Sequence, residues 1–130
     1  MNAQRRSRPV ILCVDDHEIG LEVRKRVLER AGYRVLTSRS AHQALEIFRE
    51  NHVDLVLTEH VVPTCTDGPT LAAAMKMLKP EVPIAVYSAD LEWPEDTRFA
   101  DTFLTKLVSV DELLDTIEKL LVKGPTTAAA

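Results

Sequence analysis

Short apolar runs alternate along this chain with stretches of helical periodicity. Val10-Ile11-Leu12-Cys13-Val14 is unbroken and rich in β-branched residues, as expected of a strand buried on both faces. Further runs predict strands near 33–37, 54–58, 84–88 and 102–105. Between them, a helix over about 18–31 places Val23, Val27 and Ala31 on one stripe and stops at Gly32. A second, about 40–50, buries Ala41, Ala44, Leu45 and Phe48 behind Ser40 as N-cap. A third, about 69–78, opens with Pro69, where proline costs little, and turns Leu71, Met75 and Leu78 inward. The last, about 110–122, has the clearest stripe: Val110, Leu113, Leu114, Ile117, Leu120 and Leu121. Ser109 caps it, and Glu112 three residues on completes a capping box.

Strand and helix in alternation predict a parallel sheet covered by helices on both faces. At 130 residues the chain reads as one domain with a single core, and 45% hydrophobic with 28% charged residues suits a globular protein. Residues 1–8 are expected to be a flexible arm, 9–122 the folded domain and 123–130 a disordered tail. No apolar run is long enough to span a bilayer, and the basic start lacks the apolar segment of a secretory signal. A net charge of −4 argues against general nucleic-acid affinity. Cys13, inside a strand, is read as a core residue; Cys65 sits in a loop, and the two lack metal-ligand spacing. The cytosol is the default compartment.

The chemistry gathers at strand ends. The first strand runs into Asp15-Asp16, the third into Glu59, the fourth ends at Ser88, and Lys106 follows the fifth. An acidic pair at that edge suits a hard divalent cation, which takes oxygen ligands and keeps several waters. It could equally cap the following helix, whose N-terminus favours negative charge. A lysine reaching toward converging carboxylates would relieve their repulsion.

Two acids, a third acid, a hydroxyl and a lysine at strand ends resemble the receiver domain of bacterial two-component response regulators, over residues 9 to about 122. The resemblance implies a flavodoxin-like, CheY-like doubly wound five-stranded sheet of order 2-1-3-4-5. Judged against that family the crossover 89–101 is short, so a stunted fourth helix at about 94–99, or an irregular loop, is expected. The resemblance also implies a Mg²⁺ site from Asp15, Asp16, the third acid Glu59 and the backbone carbonyl of Val61, and no organic cofactor. Ser88 and Phe103 match the family's switch hydroxyl and aromatic, and Lys106 its lysine.

Departures from the family matter as much. Its phospho-acceptor is aspartate; here that position is Glu59. The proline that usually follows the lysine is Leu107, and a cis bond before leucine costs about 3 kcal/mol more than trans, so a trans bond is expected. Phosphoryl transfer depends on positioning, and a displacement of about 1 Å can cost on the order of 10²-fold. The longer Glu59 arm should compete for the cation's place and bond Lys106 or Ser88. A carboxylate's single charge against about two on a phosphoryl group would reproduce the phosphorylated state only in part.

The leading expectation is therefore a pseudo-receiver, no enzyme, that signals by binding proteins such as a histidine kinase or an output protein. An alternative is a phosphorylatable receiver using Glu59 or a neighbouring acid such as Asp16. A remote alternative starts from Asp15-x-His17-x-x-Gly20, which resembles the loop of cobalamin-binding domains. The chain lacks that family's Gly-Gly and Ser-x-Leu elements, and His17 reads as a helix-start residue. Trp93 and Phe99 are candidate contact residues, and Glu118 and Lys119 mark a candidate docking or homodimer face.

Overall fold

The computed structural model describes residues 8–59, 71–89 and 99–123. In chain order it forms β1 (Val10–Val14), α1 (Glu18–Arg30), β2 (Arg34–Ser38), α2 (Ala41–Glu50), β3 (Leu55–Thr58), α3 (Leu71–Leu78), β4 (Ile84–Ser88), β5 (Thr102–Thr105) and α4 (Val110–Lys123). The five strands make one sheet of order β2-β1-β3-β4-β5, and every pair is parallel. The predicted order and all five strands are present, with the second displaced by one residue.

The alternation of side chains along each strand builds a core on both faces. Ile11, Cys13, Leu55, Leu57 and Ala85 pack with Leu21 and Leu28 of α1 and Leu113, Ile117 and Leu120 of α4. Leu12, Val14, Val56 and Ile84 pack on the other face with Ala41, Ala44 and Phe48 of α2 and Leu71 and Met75 of α3. Burial on both sides explains why β1 is an uninterrupted apolar run and β3 is apolar up to its last residue, Thr58.

Helix ends follow the expected chemistry. Ser40 caps α2 by accepting from the Gln43 amide at 3.2 Å, and Ser109 caps α4 by accepting from the Glu112 amide at 3.1 Å. Gly32, at φ 105°, takes the left-handed position after α1. There its amide donates to the Glu29 carbonyl and Tyr33's to that of Leu28, closing the helix.

Three predicted stripes need correction. In α1 the buried residues are Leu21, Arg24 and Leu28; Val23 is 56% exposed, Ala31 is exposed and Val27 half-buried. A charged residue, Arg24, occupies the middle of the packing stripe, so apolar periodicity alone does not reveal it. In α3, Ala73 is buried and Leu78 is 43% exposed, since Leu71, Ala73 and Met75 carry the packing face. Val110 begins α4 at the solvent edge, 51% exposed, while the rest of its stripe packs inward. The predicted Pro69 start, the segment around Trp93 and the tail from 124 lie outside the described residues, as does Cys65; Phe99 is half-buried in a turn.

Acids away from the strand ends serve the framework. Asp101 Oδ2 accepts from Lys76 Nζ at 2.8 Å and from the Ile84 amide at 2.7 Å, tying α3 and β4 to the start of β5. Asp54 accepts from the Val10 amide and contacts His52, both at 2.8 Å, at the start of β1.

Candidate functional site

Sheet hydrogen bonding runs one residue past the strands and carries the acids and the lysine with it. The Asp15 amide donates to Ser38 O at 3.1 Å, that of Glu59 to Val14 O at 2.9 Å, and that of Lys106 to Ser88 O at 2.7 Å. Parallel register thereby brings together residues up to 91 positions apart. Asp15, Glu59, Ser88 and Lys106 gather at the carboxyl edge, where a doubly wound sheet offers its crevice.

Lys106 is the centre of the cluster. Its ammonium donates to Asp15 Oδ2 at 2.8 Å and stands 2.6 Å from Glu59 Oε1. Glu59 Oε1 is shut off from solvent, and among the described residues it accepts no aligned hydrogen bond, so the lysine meets it as an ion pair. Burial alone would lower the lysine's pKa, but the two carboxylates outweigh it and raise the value above the ordinary range.

Asp15 is almost fully enclosed, with 2% of its side chain exposed. Its Oδ1 accepts from the His17 amide at 2.9 Å, while Oδ2 meets Lys106 and, at 3.3 Å, the Arg24 guanidinium. Burial pushes the carboxyl up, yet Lys106, the His17 amide and Arg24 together hold it below the usual carboxylate range. Arg24 is 8% exposed and lies 4.5 Å from the centroid of the Tyr87 ring.

Arg24 and Tyr87 were missed by the sequence reading. The available signal was the spacing Leu21, Arg24, Leu28: an arginine on a helix's packing face needs a buried anion, and Asp15 was the candidate.

Asp16 does not join the cluster: its side chain is exposed, and its carbonyl accepts from Arg39 at 3.3 Å. Ser88 is buried at the last position of β4, 2% exposed, and Phe103 is buried in β5 opposite Val86. Val61 lies outside the described residues. There is no cis peptide bond among the described residues, so Lys106–Leu107 is trans.

The described residues do not present an open Mg²⁺ site, and the expected Val61 ligand lies outside them. Both Asp15 oxygens are engaged, Glu59 is turned to Lys106, and Asp16 faces solvent. Among the described residues no three His, Cys, Asp or Glu side chains converge as a cation would need. The Asp-x-His-x-x-Gly spacing has a local explanation. His17 caps α1, its Nδ1 accepting from the Gly20 amide at 3.1 Å, and a Cβ on residue 20 would stand 3.1 Å from that same nitrogen. Among the described residues no helix is long and apolar enough to cross a membrane.

A doubly wound sheet with an acid–lysine cluster at its carboxyl edge fits the receiver resemblance. Comparison with known proteins agrees. Residues 11–118 match the response regulator receiver domain, and the chain belongs to that family. It is 32% identical over 121 residues to the sensory/regulatory protein RpfC of Xanthomonas campestris pv. campestris, covering 86% of this chain but only 16% of RpfC. A CheY-like receiver domain from Methanospirillum hungatei superposes with a TM-score of 0.81 at 25% identity, over 90% of this chain and 96% of that one. The response regulator TrrA of Thermotoga maritima, solved in complex with Mg²⁺ and BeF, gives 0.77 at 27% identity over 86% and 98%. Membership of this family associates the chain with two-component, phosphorelay-type signalling.

Proposed function

We propose that this chain is a pseudo-receiver: a phosphorelay-type signalling domain that acts by binding other proteins, without phosphorylation of the usual acceptor. The reading rests on the 2.6 Å contact between Glu59 Oε1 and Lys106 Nζ. The extra methylene advances the carboxylate by about one bond length, roughly 1.5 Å. It lies against the ammonium that an incoming phosphoryl oxygen would otherwise meet. An acceptor so placed is also out of line for attack, and misplacement of that size costs on the order of 10²-fold.

The function on this reading is recognition rather than catalysis, with a histidine kinase or an output protein as the class of partner and the cytosol as the compartment. The decisive experiment incubates the chain with acetyl phosphate and Mg²⁺, beside Glu59→Asp, and maps acyl phosphates by mass spectrometry after borohydride trapping. The wild type should stay unmodified, and any label gained by Glu59→Asp would trace the block to the extra methylene. Label on Glu59 at the rate of an aspartate receiver would end the proposal. Label on the solvent-facing Asp16 would favour a relay with a displaced acceptor.

A further inference from the structure

We propose that Arg24 is the resident cation of the acid pocket, holding Asp15 in place without a divalent metal and opposing the entry of one. This inference concerns Asp15 rather than Glu59, so it stands or falls separately from the pseudo-receiver reading.

Within the cluster, Asp15 and Glu59 are balanced by Lys106 and Arg24, and the four charges cancel. A hard dication needs the opposite: an anionic excess and oxygen lone pairs facing one point. Asp16 could restore one negative charge, but its side chain is exposed.

The two resident cations differ in how readily they could yield. Lys106 is 27% exposed at the tip of a flexible stem and could swing toward solvent. Arg24 is 8% exposed, lies 4.5 Å from the Tyr87 ring centroid, and sits between Leu21 and Leu28, which anchor α1 in the core. Withdrawing it would expose the apolar face it helps to close; leaving it in place keeps a fixed positive charge 3.3 Å from Asp15 Oδ2. Displacing the lysine alone therefore does not open the site.

The test is a direct metal titration of the full chain, following Mn²⁺ by water-proton relaxation and Mg²⁺ by calorimetry. The set is wild type, Arg24→Met, Arg24→Gln, Arg24→Lys and Glu59→Asp, each checked for fold by circular dichroism. Wild type and Arg24→Lys should show no saturable binding up to the low millimolar range. Removing the charge should tighten binding by on the order of tenfold or more, from Coulomb repulsion at protein-like dielectric. Glu59→Asp, with Arg24 intact, should stay weak. Saturable low-millimolar binding by the wild type overturns the proposal. So does a site opened by Glu59→Asp alone, which would assign the exclusion to the glutamate arm. If Arg24→Met does not fold, Arg24→Gln makes the same comparison, and the wild-type and Glu59→Asp titrations decide the matter without either. No arm scores phosphorylation, so failure here leaves the pseudo-receiver reading untouched.

Discussion

Replacing Lys106 by methionine removes one positive charge from a pocket that holds two carboxylates, while keeping an unbranched side chain one heavy atom shorter. Two contacts disappear, at 2.8 Å to Asp15 and 2.6 Å to Glu59. At an effective dielectric near 20, one such pair is worth roughly 4 kcal/mol at about 4 Å, before the cost of desolvation is charged against it. Truncating one partner of a buried pair typically costs about 3–5 kcal/mol. The present case should fall at or below the lower end, because Lys106 is 27% exposed and Arg24 still faces Asp15. We expect Lys106→Met to lose about 2–3 kcal/mol, from buried-pair truncation reduced by the remaining arginine. For a chain of 130 residues that corresponds to a fall in Tm of about 6–15 °C.

The assay is urea unfolding at neutral pH on wild type, Lys106→Met, Glu59→Gln and the double variant. Glu59→Gln removes the pair but also the repulsion between Glu59 and Asp15, and should cost less, about 1 kcal/mol or below. In the double variant the methionine no longer faces a charged Glu59, so the cycle should give a coupling of about 1–2 kcal/mol. A loss no larger than the ~0.5 kcal/mol of an ordinary surface substitution would refute the reasoning. So would a coupling indistinguishable from zero, since the contact that closes the pocket would then carry no energy.

Further predictions concern pH, the framework and the core. Because Asp15's folded pKa is depressed, its stabilisation is full above the ordinary value of 3.8 and is lost as pH falls through the depressed one. Lys106, raised above 10.5, contributes fully below that value and loses its contribution as pH rises through the folded one. Stability should therefore sag at both extremes in a pH series of urea melts, and Lys106→Met should flatten both arms. Asp101→Ala should cost about 3 kcal/mol by thermal denaturation, since it leaves the buried Lys76 ammonium with the Val82 carbonyl but no counter-ion, and the Ile84 amide without its acceptor. Cys13 is fully buried and its thiol is pushed up to about 12, chiefly by burial, with Arg24 pulling down and Asp15 pushing up. Peptide mass spectrometry should find it unmodified by iodoacetamide at pH 8 in the folded protein and alkylated in urea; rapid native labelling would contradict the burial.

The sequence by itself determined the architecture. Apolar runs such as Val10–Val14 and 55–57 leave few options but strands covered on both faces, and Ser40, Ser109 and Gly32 mark helix limits through local backbone chemistry. The gathering of Asp15, Glu59, Ser88 and Lys106 at one edge was legible too, because each sits at or just after a strand end and parallel strands share a direction. Only the tertiary structure decided how those charges are partnered. Arg24 hid in α1, where a periodicity reading looks for apolar residues and passes over a charge; its burial makes sense only once Asp15 is brought within 3.3 Å across a helix–strand junction. The orientation of Glu59 was equally undetermined, since its carboxylate had more than one candidate donor and the packed site turned it to Lys106. Local propensity is set by neighbours in sequence, whereas the pairing of buried charges is set by which side chains the fold removes from water together.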